Sequence, residues 1–124
     1  MADTNFYKLG RSFRYAFQGF HSGFRSQLNF RIQCTAAVVV IILGLLCGIT
    51  KYDWLWILLN IALVLFGELI NTALETLVDL VSPDYHVLAG KVKDIAAAAV
   101  TILAANALVS AIIIFSGPFL KLWG

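Results

Sequence analysis

The chain is organised around residues 68–79, which read Glu68-Leu-Ile-Asn71-Thr-Ala-Leu-Glu75-Thr-Leu-Val-Asp79. The segment puts three acids and an amide into a stretch that is otherwise apolar enough to cross a membrane. Because an α-helix turns about 100° and rises about 1.5 Å per residue, these four side chains form one stripe about 16 Å long. A carboxylate near the bilayer centre costs on the order of 3 kcal/mol. The segment therefore predicts a membrane helix that carries a functional site.

The composition excludes an ordinary soluble domain. Hydrophobic residues make up 60% of the 124 residues, and the mean hydropathy is +0.86. The length predicts a single domain over residues 1–124. A membrane protein of this size has too little interior to enclose a large site alone, so we expect an oligomer.

The hydropathy pattern predicts an all-α membrane protein with a surface helix followed by three transmembrane helices. The surface helix is predicted over about 5–25, and the transmembrane helices over 30–49, 54–81 and 94–115. Residues 50–53 are predicted to form a short turn, and residues 84–94 a polar loop. Proline interrupts helical hydrogen bonding, so the second span is expected to stop at Ser82-Pro83 and the third near Gly117-Pro118.

The first predicted helix has phenylalanines at intervals of three or four residues, with basic side chains between them. Such a helix would lie in the membrane interface, with its aromatic side chains towards the lipid and its basic groups near the headgroups. Two interpretations stay open. The segment is a simple anchor, or Lys8, Arg11 and Arg14 also contact an anionic ligand.

The positive charges predict the orientation in the membrane. Of the nine Lys and Arg residues, only Lys51 and Lys121 lie outside the N-terminal segment and the connection before the third span. The basic side is expected to be cytoplasmic. This orientation puts Glu75 and Asp79 at the cytoplasmic boundary and Glu68 about 10 Å deeper.

Acids beside lysines at a membrane boundary suit a polyphosphate that carries Mg²⁺, because carboxylate oxygens hold the metal and ammonium groups offset phosphate charge. A deeper carboxylate at Glu68 could take a proton from a hydroxyl group of a molecule in the bilayer. These residues favour phosphoryl transfer to a lipid alcohol. Two alternatives remain: polar contacts that only join helices, and a proton or ion pathway. Asn60 is the only further strongly polar side chain on the second span, which argues against a pathway.

The run from Glu68 to Asp79, followed by Tyr85-His86-x2-Ala-Gly90-Lys91-Val-Lys93-Asp94, closely resembles the prokaryotic diacylglycerol kinase family, which includes the undecaprenol kinases. The resemblance covers about residues 8–114. It implies a lipid kinase of the bacterial plasma membrane that uses ATP and Mg²⁺. It also implies a homotrimer with composite active sites shared between neighbouring subunits, and no nucleic-acid partner.

The resemblance also implies roles for individual residues. Glu68 matches the general base, Glu75 the metal-binding glutamate, and Lys93 the lysine that contacts the ATP phosphates. The expected catalytic residues are Glu68, Asn71, Asp79, Lys93 and Asp94. The expected nucleotide contacts are Lys8, Arg11, Tyr15, Glu75, His86, Gly90, Lys91, Lys93 and Asp94. The lipid is expected to contact Glu68, Arg31 and Ala97.

The sequence departs from the family pattern at Gln27, where many members carry a second metal-binding glutamate. Glutamine keeps an oxygen ligand but removes a charge, so we expect Gln27 and Glu75 to hold the metal with altered affinity. The identity of the lipid substrate follows less directly from the sequence. Alanine at Ala97, in place of the serine of diacylglycerol kinases, is more like the undecaprenol kinases, whereas the loop through Gly90 is more like the diacylglycerol enzymes. The balance slightly favours undecaprenol.

Overall fold

The computed structural model describes residues 2–123, and within this range every element of regular secondary structure is an α-helix. The predicted helical architecture is thereby confirmed for the described chain. The helices are α1 (Ala2–Ser26), α2 (Leu28–Cys47), α3 (Lys51–Val81) and α4 (Val87–Trp123). The last three are long and apolar enough to span a membrane.

Local signals explain the tight connection between α2 and α3. Gly48 has a φ of 60°, a left-handed conformation that glycine adopts without strain, and it ends α2. The Thr50 hydroxyl then accepts a hydrogen bond from the Asp53 N–H at 3.2 Å and caps α3. Most of the predicted turn at 50–53 is therefore the first turn of α3, so the prediction that this helix begins at residue 54 was three residues late.

Helix α3 is longer than a bilayer requires. Its 31 residues extend about 46 Å at 1.5 Å per residue, against a hydrocarbon thickness of about 30 Å. It ends at Val81, as predicted, immediately before Ser82-Pro83. Part of α3 must therefore project beyond the hydrocarbon, at one end or at both.

Helix α4 corrects the sequence prediction at both ends. It begins at Val87 rather than near Asp94, where the sequence indicated a loop, because the His86 Nδ1 accepts the Leu88 N–H at 3.1 Å and caps the first turn. It also continues through Pro118 to Trp123. Proline removes only one backbone hydrogen bond, and membrane helices tolerate that loss. Hydropathy alone predicted the apolar middle of this helix but not its two ends.

The most extensive packing joins α3 to α4. Gly67 makes the close approach possible, since a Cβ atom at this position would lie 2.6 Å from Leu103 Cδ1. Ala96 and Val100 are buried on the facing side of α4. A small residue next to Glu68 thus brings α4 close to the polar stripe of α3.

Helix α1 meets the other helices only at its carboxyl-terminal end. Gln27, in an extended conformation, separates it from α2. The Phe20 and Phe30 rings then pack edge to face with centroids 5.1 Å apart, and Gly23 lies against Leu69 of α3. Residues 4–19 of α1, including Phe6, Phe13 and Phe17, are exposed in the single chain.

Candidate functional site

The polar stripe of α3 lies on one face, and its burial decreases along the helix. Glu68 and Asn71 are buried, with 3% and 8% of their surface exposed. Glu75 is half-buried, and the Asp79 side chain is 67% exposed. The helix therefore carries its acids from a protected interior towards an open end.

Glu68, the deepest acid, has a partner that the sequence reasoning missed. The Gln33 side chain on α2 donates a hydrogen bond from Nε2 to Glu68 Oε2 at 3.3 Å. The Oε1 atom of Gln33 is buried and has no hydrogen-bond partner among the described residues. The available signal was a lone glutamine within the first turns of an apolar helix, where a polar side chain is costly unless it is paired.

Asn71 and Glu75 form the middle of the stripe. The Asn71 Nδ2 donates to Glu75 Oε1 at 3.2 Å, across one turn of α3. Asn71 Oδ1 is buried and lacks a hydrogen-bond partner within the described chain. Carboxylate and amide oxygens are the hard ligands that Mg²⁺ prefers, so the donor types of these two residues suit a divalent cation. In this structure Asn71 turns its amide hydrogens, rather than its oxygen, towards Glu75.

Lys93 joins α4 to the exposed end of the stripe. Its Nζ lies 2.6 Å from Asp79 Oδ1, and both side chains remain accessible to solvent. An exposed ion pair adds little to stability. Its significance is positional, since Asp79 holds an ammonium group within reach of the acids on α3.

The remaining residues predicted at the start of α4 lie in its first two turns. His86 precedes the helix, and its backbone oxygen accepts the Gly90 N–H at 3.1 Å. Lys91 and Asp94 are exposed. Tyr85 is also exposed and lies beside them in sequence. These residues form an open, polar rim on the same helix as Lys93.

A single chain does not bring all the predicted residues together. Lys8, Arg11 and Tyr15 are exposed on α1, and within residues 2–123 no part of α1 approaches α4 closely. The predicted nucleotide contacts therefore lie on two separate surfaces of the chain. Arg11 instead stacks over the Tyr7 ring, 5.8 Å from its centroid.

The other predicted metal and lipid residues lie on α2 and α4. Gln27 is half-buried at the start of α2, and its side chain makes no hydrogen bond to the other described residues. Arg31, one turn further along, is exposed. Ala97 is exposed next to the buried Ala96. Among residues 2–123, no three His, Cys, Asp or Glu side chains cluster as metal ligands.

A second polar contact on α3 lies about 12 Å from Glu68 along the helix, by the usual rise per residue. Asn60 donates from Nδ2 to the Trp56 oxygen at 2.9 Å, and its Oδ1 accepts from Asn106 Nδ2 at 2.9 Å. A cavity of ≈ 260 Å³ between α2, α3 and α4 has both Asn60 and Gln33 in its otherwise mostly apolar lining.

Comparison with known proteins identifies the family of the chain. A sequence profile described as "Prokaryotic diacylglycerol kinase" matches residues 14–115. A diacylglycerol kinase of Haemophilus influenzae is 35% identical over 99 residues, which cover 80% of this chain and 84% of that protein. An undecaprenol kinase of Bacillus subtilis is 36% identical over 105 residues, covering 85% of each chain. A diacylglycerol kinase of Synechocystis is 40% identical over 112 residues, covering 90% of this chain and 64% of that protein.

These relatives carry two lipid specificities at nearly equal identity, so the match determines the enzyme class more sharply than the lipid. It also places the three apolar helices in a multi-pass membrane protein. The chain belongs to the prokaryotic diacylglycerol kinase family and is a membrane lipid kinase.

Proposed function

We propose that the chain transfers the γ-phosphoryl group of ATP, in the presence of Mg²⁺, to the hydroxyl group of a lipid alcohol in the bilayer. The observation that carries this proposal is the arrangement along α3. The buried carboxylate of Glu68 comes first on one face of the helix, followed by Asn71 beside Glu75. Asp79 comes last and holds Lys93 of α4. This order matches the order of groups in the reaction: lipid hydroxyl, phosphoryl group, then nucleotide.

Glu68 is the proposed general base. Its burial suits a substrate whose hydroxyl group approaches from the membrane, because bulk water does not compete for the carboxylate. The lipid oxygen attacks the γ-phosphorus while Glu68 takes the hydroxyl proton. The bond from phosphorus to the ADP oxygen breaks in line with the attack, and ADP leaves.

Glu75 and Asn71 are the proposed protein ligands of Mg²⁺, which when bound offsets the negative charge of the phosphates. The partnerless Asn71 Oδ1 supports this role, because a buried acceptor without a hydrogen bond is costly unless a ligand satisfies it. Gln27 is proposed as a further oxygen ligand. Its position at the start of α2 leaves its side chain free of hydrogen bonds to the described chain.

Lys93 is proposed to bind the ATP phosphates, with Asp79 as the group that orients it. An ammonium group has three hydrogens, so Lys93 can keep its contact with Asp79 and still donate to a phosphate oxygen. Asp94, His86, Gly90 and Lys91 would border the nucleotide at the start of α4. Catalysis then depends on positioning and charge rather than on a covalent enzyme intermediate.

We further propose a homotrimer in which each active site takes residues from two subunits. The separation of α1 from α4 supports this, since Lys8, Arg11 and Tyr15 cannot join Lys93 within one chain. The exposed phenylalanines of α1 suit an amphipathic helix lying in the membrane interface. The distribution of Lys and Arg supports a cytoplasmic N-terminus and active site.

Undecaprenol is the preferred lipid in this proposal. Ala97 supports it, because the resemblance associates a serine at this position with the diacylglycerol enzymes. Arg31, which is exposed on α2, is proposed to contact the headgroup end of the lipid. Diacylglycerol is the alternative acceptor.

The test is an assay of the purified protein in mixed micelles with γ-labelled ATP, Mg²⁺ and either undecaprenol or diacylglycerol. We expect label in the lipid fraction, a strict requirement for Mg²⁺, and faster turnover of undecaprenol. Glu68→Gln should abolish the transfer while leaving the oligomer intact. Label in neither lipid would contradict the proposal, and faster turnover of diacylglycerol would reverse the proposed preference.

Proton or ion transport is not favoured as a second function. A pathway needs polar groups that continue beyond Glu68, and Asn60 instead pairs with Trp56 and Asn106. Flux across sealed vesicles in the absence of lipid phosphorylation would support transport.

A further inference from the structure

We propose that Gln33 is a positioning residue for Glu68, and that its side-chain amide holds the carboxylate both before and after proton transfer. This inference rests on the proposed function, because it takes Glu68 to be the base that accepts the lipid hydroxyl proton.

The contact joins two helices inside the protein. Gln33 Nε2 on α2 donates to Glu68 Oε2 on α3 at 3.3 Å. Glu68 is only 3% exposed, so this amide replaces part of the solvent that would otherwise surround the carboxylate. With one oxygen held by Gln33, the other oxygen, Oε1, has a fixed direction and can face the lipid hydroxyl group. A base held in this way loses less orientational freedom when it reacts.

An amide suits this position because it donates a hydrogen bond and carries no charge. While Glu68 is charged, a Nε2 hydrogen of Gln33 donates to its Oε2. After Oε1 of Glu68 has taken the proton, Oε2 is the carbonyl oxygen of the acid and still accepts from the same Nε2 hydrogen, so the contact survives the transfer. The charge of a lysine would favour the ionised carboxylate and oppose its protonation, and an aliphatic side chain would have no donor.

Two features around Gln33 support a positioning role. Its Oε1 is buried and has no hydrogen-bond partner in the described chain, so within that chain the contact with Glu68 is the one hydrogen bond of the amide. The side chain also lines the cavity of ≈ 260 Å³ between α2, α3 and α4, which gives open space beside the contact. A purely structural polar contact would be expected to satisfy both ends of the amide.

The test compares Gln33→Met with the parent protein, since methionine has a similar length and no amide. We expect kcat to fall at least about tenfold, because a hydrogen bond to a charged group is lost. The KM values for ATP and for the lipid should stay within about twofold. Asn106→Leu is the matched control: it removes another interhelical amide contact, and its kcat should stay within about twofold of the parent.

A double-mutant cycle with Glu68→Asp tests whether Gln33 acts through Glu68. Shortening the acid withdraws the carboxylate from the amide, so Gln33→Met should lower kcat much less in the Glu68→Asp protein than in the parent. Equal fold-losses in both backgrounds would contradict the positioning role. If Gln33→Met does not assemble, Gln33→Asn serves instead, since it keeps an amide but moves it one methylene away. It should lose kcat in the same way.

The outcomes separate this inference from the proposed function. Normal kcat in the assembled Gln33 variant, together with an inactive Glu68→Gln protein, would overturn the role of Gln33 and leave Glu68 as the base. Full turnover by Glu68→Gln would show that Glu68 is not the general base, and it would also overturn the role inferred for Gln33. A rise in the lipid KM at unchanged kcat would make Gln33 a binding contact and would also overturn it.

Discussion

Helix α3 takes part in two polar clusters with buried members, Asn60 in one and Glu68 and Asn71 in the other, and the clusters differ in how their hydrogen bonds are completed. The first is the Asn60–Asn106 pair, in which Asn60 donates to a backbone oxygen and accepts from the facing helix. The second is the stripe from Glu68 to Asp79 with its partner Gln33. The two buried side-chain oxygens without partners in the described chain, Gln33 Oε1 and Asn71 Oδ1, both belong to the second cluster.

We interpret the difference as one between a structural contact and the proposed ligand site. Polar side chains in membrane helices are tolerated when they pair with each other, and the Asn60 pair does so. Leaving acceptors unpaired costs stability, and such costs are typical of functional sites. The comparison therefore predicts that changes in the stripe affect turnover, whereas changes in the Asn60 pair affect stability.

The largest expected effect is at Glu75. Glu75→Gln keeps the size of the side chain but removes the charge that is proposed to hold Mg²⁺, so turnover should fall by about 100-fold or more. The measurement is lipid phosphorylation at saturating Mg²⁺, with size-exclusion chromatography to confirm assembly. Asp53→Asn, at the other end of α3, is the control and should stay active. Near-normal turnover by the Glu75 variant would contradict the proposal that Glu75 holds the metal.

Lys93→Ala should have the next largest effect. Removing the ammonium group takes away the proposed phosphate contact and the partner of Asp79, so kcat/KM for ATP should fall roughly 10- to 100-fold. Initial rates over a range of ATP concentrations measure this. Lys51→Ala, which removes a lysine from the first turn of α3, should leave those rates unchanged. Equal effects of the two substitutions would indicate a general charge effect rather than a specific phosphate contact.

Asn106→Leu should lower stability instead of activity. The variant leaves Asn60 Oδ1 without its donor, and the expected cost is about 1 kcal/mol of the free energy of unfolding. Denaturation by SDS in mixed micelles gives this value. The double variant Asn60→Leu/Asn106→Leu should recover part of the loss, because no orphaned amide remains. A large loss of turnover in folded Asn106→Leu would contradict the view that the Asn60–Asn106 pair has only a structural role.

The smallest expected effect is at Gln27. Gln27→Glu restores a charge that many relatives are expected to carry near the metal, so activity should be retained and half-maximal activity should occur at a few-fold lower Mg²⁺ concentration. A Mg²⁺ titration of lipid phosphorylation measures the shift. An unchanged titration would exclude Gln27 from the metal site.

Much of this protein follows from local sequence. Hydropathy and helical periodicity predict three membrane helices and place Glu68, Asn71, Glu75 and Asp79 on one face of the second, because both properties depend only on neighbouring residues. The start of α4 was not predictable in this way, since its first turns are polar and begin at a histidine cap. Pro118 likewise lies inside the helix that it was expected to end.

Tertiary structure decided which groups face the stripe. Whether Gln33 reaches Glu68 depends on the rotation and depth of α2, and whether Lys93 reaches Asp79 depends on the approach of α4, which Gly67 permits. Neither relation is encoded in the period of a single helix. The sequence by itself determined the helices and the acids of this kinase, whereas packing determined the partners of those acids, because contacts between helices depend on side chains far apart in the chain.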